Sequence, residues 1–224
     1  MSAIPRPAST VVLLDQKSNV YLTKRPETMK FMAGFYVFPG GAVDKSDEIK
    51  EFNNEIKGNR NTNFDLAHYI AAARELFEEV GVLLCSTEGG SAFQMEEETK
   101  LEYRRQLLEG EISFLQLLKK EKLILNLDSF IYFGHIITPN PSRIRFDTRF
   151  FIAQLPDGQQ PVPDQNEISD ALWISPEEAL SDFNIGKISL PPPTIHALKT
   201  ILNYQNGVPL SMPEFNVSDY KLTF

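Results

Sequence analysis

Apolar residues follow two different periods along this chain, and the two periods predict both strands and helices. Short apolar runs bounded by turn residues predict strands at 10–14, 20–23, 36–38, 130–139, 145–153 and 168–174. One central stretch instead spaces its apolar side chains three or four positions apart, at Ile70, Ala73, Phe77 and Val80. This spacing predicts one buried face of a helix, which Gly81 would end. An α/β fold around this helix is the expectation.

Further helices are predicted on both sides of the later strands. Residues 95–120 have a helical pattern that Gly110 divides in two, within an insertion at about 91–125. The pair Ser175-Pro176 is typical of a helix start, and residues 194–204 form a last helix. At the central helix, Asp65 is the predicted N-cap, and His68 is predicted to lie on the surface of the first turn.

Three glutamates share one patch of the central helix. Glu75, Glu78 and Glu79 stand at positions i, i+3 and i+4, so their carboxylates are neighbours. Like charges at these positions repel, and a cation among them would relieve the repulsion. Carboxylates, completed by waters and substrate phosphates, are the ligands that Mg²⁺ prefers. A merely solvated acidic face is the alternative for the cluster taken alone.

The surrounding string, residues 74–82, resembles the second half of the Nudix box, REUxEExGU with U an aliphatic residue, at every fixed position. The first half, Gx5E, is matched by Gly41 and by Asp47, an aspartate where the family has glutamate. Where the family has seven residues before the arginine, this chain has the whole of 48–73. Because lengthening a surface loop costs little free energy, we expect an inserted loop at about 48–66.

This resemblance implies a Nudix α/β/α sandwich with a mixed sheet, formed by residues 1–224 as a single domain, and metal-dependent hydrolysis of a diphosphate. It implies a catalytic set of Arg74, Glu75, Glu78 and Glu79. Mg²⁺ or Mn²⁺ would be held by the Gly40 carbonyl, Glu75, Glu78, Glu79 and, as an additional ligand or base, Glu167. Arg74 would orient Glu75, and Asp47 would fix that arrangement. Which glutamate is the base stays open.

A second resemblance concerns the substrate. The segment from Leu22 through Arg25, Lys30 and Gly34 to the Phe-Pro-Gly-Gly at 38–41 keeps the intervals of a signature of coenzyme A diphosphatases. Departures from that signature occur at Tyr21, Pro26 and Lys30. Segments 137–151 and 190–194 are similar to the acyl-CoA diphosphatase subgroup.

The implied reaction converts coenzyme A or an acyl-CoA into 3′,5′-ADP and (acyl-)4′-phosphopantetheine. The residues expected to bind this substrate are Arg25, Lys30, Gly41 and Arg145. Arg145 is also expected to pair with Asp147, either to shape the pocket or as a structural pair only. Three alternatives remain: hydrolysis of ADP-ribose, NADH or a dinucleoside polyphosphate, hydrolysis of oxidised nucleoside triphosphates, and a Nudix ligand-sensing module without turnover.

Composition limits the expected partners and cellular compartment of the protein. A net charge of −8 lacks the basic field of nucleic-acid-binding proteins, so nucleic acid is not an expected partner. The partner that the resemblance implies is a small nucleotide. No apolar run reaches the ~18 residues of a membrane span. The single cysteine, Cys85, suits a buried thiol in a reducing cytosol, so a cytoplasmic protein is expected. The helical insertion would cover the site, bind the pantetheine end of a ligand or form a homodimer face, and the sequence does not choose.

Overall fold

The computed structural model describes residues 3–30, 32–49, 54–91, 93–140 and 142–220. Short 3-10 helices lie at Lys45–Asp47, Leu127–Ser129 and Val217–Asp219. The strands and α-helices, in chain order, are β1 (Arg6–Leu14), β2 (Val20–Lys24), β3 (Tyr36–Val37), β4 (Gly40–Ala42), β5 (Ile56–Lys57), α1 (Ala67–Val80), β6 (Cys85–Thr87), α2 (Glu97–Leu108), α3 (Phe114–Glu121), β7 (Leu123–Asn126), β8 (Ile131–Ile137), β9 (Phe146–Gln154), β10 (Asp170–Ile174), α4 (Pro176–Asn184) and α5 (Pro192–Gln205).

The main sheet is mixed, as predicted. Its strand order is β10-β2-β1-β9-β8, with β3 added to β2 and β4 added to β1. The central pair, β1 and β9, is parallel from Arg6 opposite Phe146 to Leu14 opposite Gln154, while its other ladders are antiparallel. β1 is longer than the predicted strand because β4 and β9 both pair with its first half.

Helices cover both faces of this sheet. Side chains alternate along β1, so Val11 packs with α1, whereas Val12 packs with α5 through Leu198 and Ile201. The structure is therefore the expected α/β/α sandwich. Cys85 is buried, as predicted, and burial raises the pKa of its thiol. Among the helices that the model describes, none has the length and apolar character needed to cross a membrane.

The start of α1 differs from the prediction. Leu66, not Asp65, occupies the N-cap position, and the Asp65 backbone carbonyl accepts the His68 N–H at 3.1 Å. His68 is buried, not exposed, because α1 packs against β1. Its Nδ1 lies 3.1 Å from both the Ser9 hydroxyl and the Ala8 carbonyl.

The two insertions meet in a small second sheet, β5-β7-β6. β5, from the inserted segment 48–66, pairs in parallel with β7, which follows the helical insertion. Part of the predicted loop is therefore a strand, and its residues 50–53 lie outside the described ranges. Gly110 separates α2 from α3 as predicted, with a left-handed φ of 69°.

Candidate functional site

The carboxylate-bearing end of α1 lies directly against the glycine pair of β4. The Gly40 N–H donates to Glu79 Oε2 at 3.0 Å. A Cβ on Gly41 would lie 2.4 Å from Glu75 Oε1, and a Cβ on Gly40 would lie 2.3 Å from the Ser9 carbonyl oxygen. A side chain at Gly40 would therefore clash with the backbone of β1, whereas one at Gly41 would meet the carboxylate end of the flexible Glu75 side chain.

Arg74 is the hub of the cluster. Its Nε and Nη2 donate to the two oxygens of Asp47, each at 2.9 Å, and Nη1 donates to Glu75 at 3.0 Å and Glu78 at 2.8 Å. Nη2 also donates to the Ala42 carbonyl at 2.9 Å. Asp47 is fully buried, so its fork-to-fork pair with Arg74 is protected from water. The expected orienting contact between Arg74 and Glu75 is thus present, and the guanidinium also holds Glu78.

Burial dominates the electrostatics of these carboxylates. It raises the pKa of Glu75 to about 8 and that of Glu78 to about 7, although Arg74 opposes both shifts. Burial, followed by the charge of Glu75, raises the pKa of Glu79 well above its usual value. Burial also raises the pKa of Glu167, the half-buried fourth carboxylate. Burial alone would lower the pKa of Arg74, but its bonds to Asp47 and the nearby glutamates raise it.

This donor set fits a divalent cation. The glutamates gather more negative charge than Arg74, already paired with Asp47, can offset, and carboxylate oxygens suit Mg²⁺ or Mn²⁺. In the part of the chain that the model covers, no three acidic, histidine or cysteine side chains already stand in a ligand arrangement. Glu75 and Glu78 turn to Arg74, and Glu79 turns to Gly40. Mg²⁺ sites usually keep several waters, so a few of these oxygens would suffice.

The predicted substrate residues are spread more widely. Arg25 lies close enough to Glu79 and Glu167 for its charge to act on both. Lys30 is exposed, and it is not among the residues that line the cavity described below. Arg145 donates to the carbonyls of Thr138 at 2.7 Å and Ala3 at 2.8 Å. It therefore joins Thr138, directly after β8, to Ala3 in the N-terminal segment.

The expected ion pair between Arg145 and Asp147 is wrong. Asp147 instead pairs with Arg149, whose guanidinium also lies over the Phe64 ring. Both arginines stand two residues from Asp147, on the same side of an extended strand. Arg145 precedes β9, where backbone carbonyls are within its reach, and this leaves Asp147 to Arg149.

A cavity of about 260 Å³ lies on the opposite face of the sheet from α1, beside the start of α5. Gly40 and Gly41 form part of its wall, so one strand separates the cavity from the carboxylates. Two arginines, Arg6 and Arg25, line it. Most of the remaining lining is apolar, with Met32, Phe38, Ile136, Phe146, Phe150, Pro191 and Pro193.

Two residues of this region were not predicted from the sequence. Arg6 was missed because nothing in the opening segment separates it from an ordinary surface arginine. Arg104, in α2, is buried and donates to the carbonyls of Glu78 and Glu79 at 2.9 Å each. Its position in a helical insertion gave no signal, because only the tertiary packing brings it to α1.

The sandwich, the glycine pair and the carboxylate end of α1 define a member of the Nudix hydrolase family. A model of the NUDT19 Nudix domain matches residues 52–201, more than half of the chain, so the chain belongs to this family. The family predicted from the sequence is confirmed.

Similar proteins of known sequence also belong to the Nudix hydrolases or carry Nudix names. Nudix hydrolase 7 of Caenorhabditis elegans is 32% identical over 193 residues, which cover 85% of this chain and 58% of that protein. The acyl-coenzyme A diphosphatase NUDT19 of Xenopus laevis is 28% identical, covering 83% of this chain and 60% of the relative. This chain therefore spans about three fifths of the length of the curated relatives that it matches.

Among solved structures, the crystal structure of a Nudix hydrolase from Alicyclobacillus acidocaldarius is similar with a TM-score of 0.81 and 27% identity. The match covers 96% of this chain and all of that one.

Proposed function

We propose that this protein uses a divalent cation to hydrolyse the diphosphate bond of coenzyme A or an acyl-CoA, releasing 3′,5′-ADP and (acyl-)4′-phosphopantetheine. One observation carries the proposal. The buried carboxylates of α1 are separated by a single strand from a largely apolar cavity that Arg6 and Arg25 line. Such a pair of sites suits a substrate that joins a diphosphate to a long, partly apolar arm.

The carboxylate cluster supplies the hydrolytic half of the proposal. A Mg²⁺ or Mn²⁺ ion bound there would offset phosphate charge and lower the pKa of a water molecule. Glu75, Glu78 and Glu79, with the Gly40 carbonyl, are the groups that would hold it, and Arg74 keeps two of them in place. The proton lost by the attacking water would pass to a carboxylate as the P–O bond to the departing phosphate breaks. Glu75 and Glu167 are the candidates for this role.

The cavity supports the choice of substrate. Its aromatic, proline and methionine side chains offer apolar contact for a pantetheine or acyl chain, whereas a purely polar substrate would leave them unused. Arg25, close to both the cavity and Glu79, is placed to bind phosphate oxygens. The relatives named as acyl-coenzyme A diphosphatases support the same choice.

The test is a substrate panel containing coenzyme A, an acyl-CoA, 3′-dephospho-coenzyme A, ADP-ribose, NADH and diadenosine polyphosphates, each with Mg²⁺ and with Mn²⁺. We expect metal-dependent cleavage with the highest kcat/KM on coenzyme A or the acyl-CoA. Removing the 3′-phosphate should lower kcat/KM by about 10- to 100-fold, the value of one charged hydrogen bond.

Other outcomes would contradict parts of the proposal. A higher kcat/KM on ADP-ribose, NADH or a diadenosine polyphosphate would discard the substrate and keep the chemistry. No cleavage of any compound with either metal would contradict hydrolysis and favour a Nudix ligand-binding module.

A further inference from the structure

The C-terminal end of α1 is held by a residue of the helical insertion. Arg104 lies in α2 with only 2% of its surface exposed. Its guanidinium uses all three nitrogens: Nε donates to the Glu78 carbonyl, Nη2 to the Glu79 carbonyl and Nη1 to the Val162 carbonyl, each at 2.9 Å. One side chain thus joins the end of α1 to a segment that follows β9.

These carbonyls need partners from outside the helix, because the last turn of an α-helix leaves its carbonyls unpaired. The segment after β9 provides some of them. The N–H of Val162 donates to the Val80 carbonyl, and the N–H of Asp164 donates to the Glu79 carbonyl, both at 2.8 Å. Arg104 completes the set and places a positive charge at the negative end of the helix dipole.

The hydrogen bonds at the end of α1 also connect to the turn that carries the fourth carboxylate, Glu167. The carbonyl of Asp164 accepts the N–H of Glu167 at 3.2 Å and that of Ile168 at 2.8 Å, so a turn begins at the residue bonded to Glu79. This turn brings Glu167 near enough to Glu75 and Glu79 for their charges to interact. The helix end and the Glu167 turn therefore share one anchor.

We propose that Arg104 is a positioning residue that holds Glu78, Glu79 and Glu167 in one arrangement for a divalent cation. The inference rests on the proposed function and gives the helical insertion a role in it. Arg104 acts through backbone carbonyls and does not itself touch the cation or the substrate.

The local packing suits arginine at this position. A lysine carries one compact ammonium and lacks the planar fork that reaches three separate carbonyls. Two side chains of α2 also fill the space next to Gly81. A Cβ on Gly81 would lie 3.1 Å from Lys100 Cδ and 3.4 Å from Arg104 Nη1. The side chains of Lys100 and Arg104 therefore lie close to Gly81, the C-cap of α1.

The test compares Arg104→Gln and Arg104→Lys with the control Leu107→Ala. Leu107 is buried in the same helix but is not among the residues bonded to Glu78 or Glu79. Mn²⁺ binding to the substrate-free 224-residue chain is measured by the electron paramagnetic resonance signal of free Mn²⁺, and folding by circular dichroism. We expect both Arg104 variants to bind Mn²⁺ about tenfold more weakly, as for other groups that orient metal ligands. Leu107→Ala should melt at a lower temperature and bind Mn²⁺ as the wild type does.

The outcomes separate this inference from the proposed function. If the wild type binds Mn²⁺ and the Arg104 variants bind it equally well, the inference alone is overturned. It is also overturned if Leu107→Ala weakens binding as much, since general destabilisation would then be the cause. If the wild type does not bind Mn²⁺, the proposed function fails and this inference fails with it. Should Arg104→Gln not fold, the Arg104→Lys measurement decides.

Discussion

Two arginines of this protein each donate hydrogen bonds to three carboxylates, and only one of the two groups forms a candidate site. Arg74 pairs with Asp47, Glu75 and Glu78 with 6% of its side chain exposed. Arg105, on the outer side of α2, pairs with Glu102, Glu109 and Glu111 with 43% exposed. The side-chain chemistry is nearly the same, so burial is the main difference between the two groups.

Burial reverses the shifts in pKa. In the outer group, hydrogen bonds from Arg105 lower the pKa of Glu102 to about 2. Water also solvates the charged carboxylate there, so the opposing effect of burial is smaller than that of the hydrogen bonds. In the inner group, burial raises the pKa of Glu75 to about 8 even though Arg74 lies beside it. Exposed carboxylates are satisfied by one arginine, whereas buried ones still favour a further positive charge. This unmet demand for positive charge makes the inner group suitable for a metal ion.

The largest expected difference between the two groups is in stability. Arg74→Gln would leave buried carboxylates without their partner, so the free energy of unfolding should fall by about 3–5 kcal/mol. Arg105→Gln should leave the urea midpoint close to that of the wild type, because exposed ion pairs contribute little. Urea unfolding followed by circular dichroism measures both. Equal losses in the two variants would show that burial does not separate the groups.

The second largest expected difference between the two groups is in catalytic activity. Glu79→Gln keeps the size of the side chain and an oxygen for the Gly40 N–H, but it removes the negative charge that a cation would need. We expect kcat/KM on the best substrate of the panel to fall about 100-fold or more, because ligand-orienting groups alone account for 10- to 100-fold. Glu102→Gln, the matched exposed change, should retain wild-type activity. Normal turnover by a folded Glu79→Gln variant would contradict the site assignment.

The smallest expected effect concerns His68, a histidine whose pKa is also shifted by burial. Burial, followed by the charge of Arg149, lowers the pKa of His68 below its ordinary value. Below about pH 6.5 the unfolded chain therefore binds a proton that the folded protein does not, so this contribution to stability is present above that pH and is lost as the pH falls.

The measurement is urea unfolding of wild type and His68→Gln between pH 7.5 and 5. The stability of His68→Gln relative to that of the wild type should rise as the pH falls, because the variant lacks this loss. A His68→Gln slope equal to that of the wild type would show that His68 does not titrate differently on folding.

Local pattern was enough to predict the periodic elements and the carboxylates. The spacing along α1 defined one buried stripe, and the i, i+3, i+4 positions put Glu75, Glu78 and Glu79 together in any helix. The break at Gly110 followed from its position in a helical pattern. The predictions for His68 and for the partner of Asp147 were wrong, because contacts with other parts of the chain determined both. His68 lies in a helix whose first turn is covered by β1, and Asp147 had a partner on each side at equal spacing.

The sequence by itself determined the family, the central helix and its charges, because these depend on neighbours along the chain and on the periods of helix and strand. Only the tertiary structure decided which charges are buried, that Arg6 lines the cavity, and that Arg104 reaches the end of α1. Those features depend on contacts between residues far apart in the sequence, where the solvation of a charge is set by whatever packs over it. The same kind of arginine–glutamate cluster becomes a surface network on α2 and a candidate metal site on α1 for that reason.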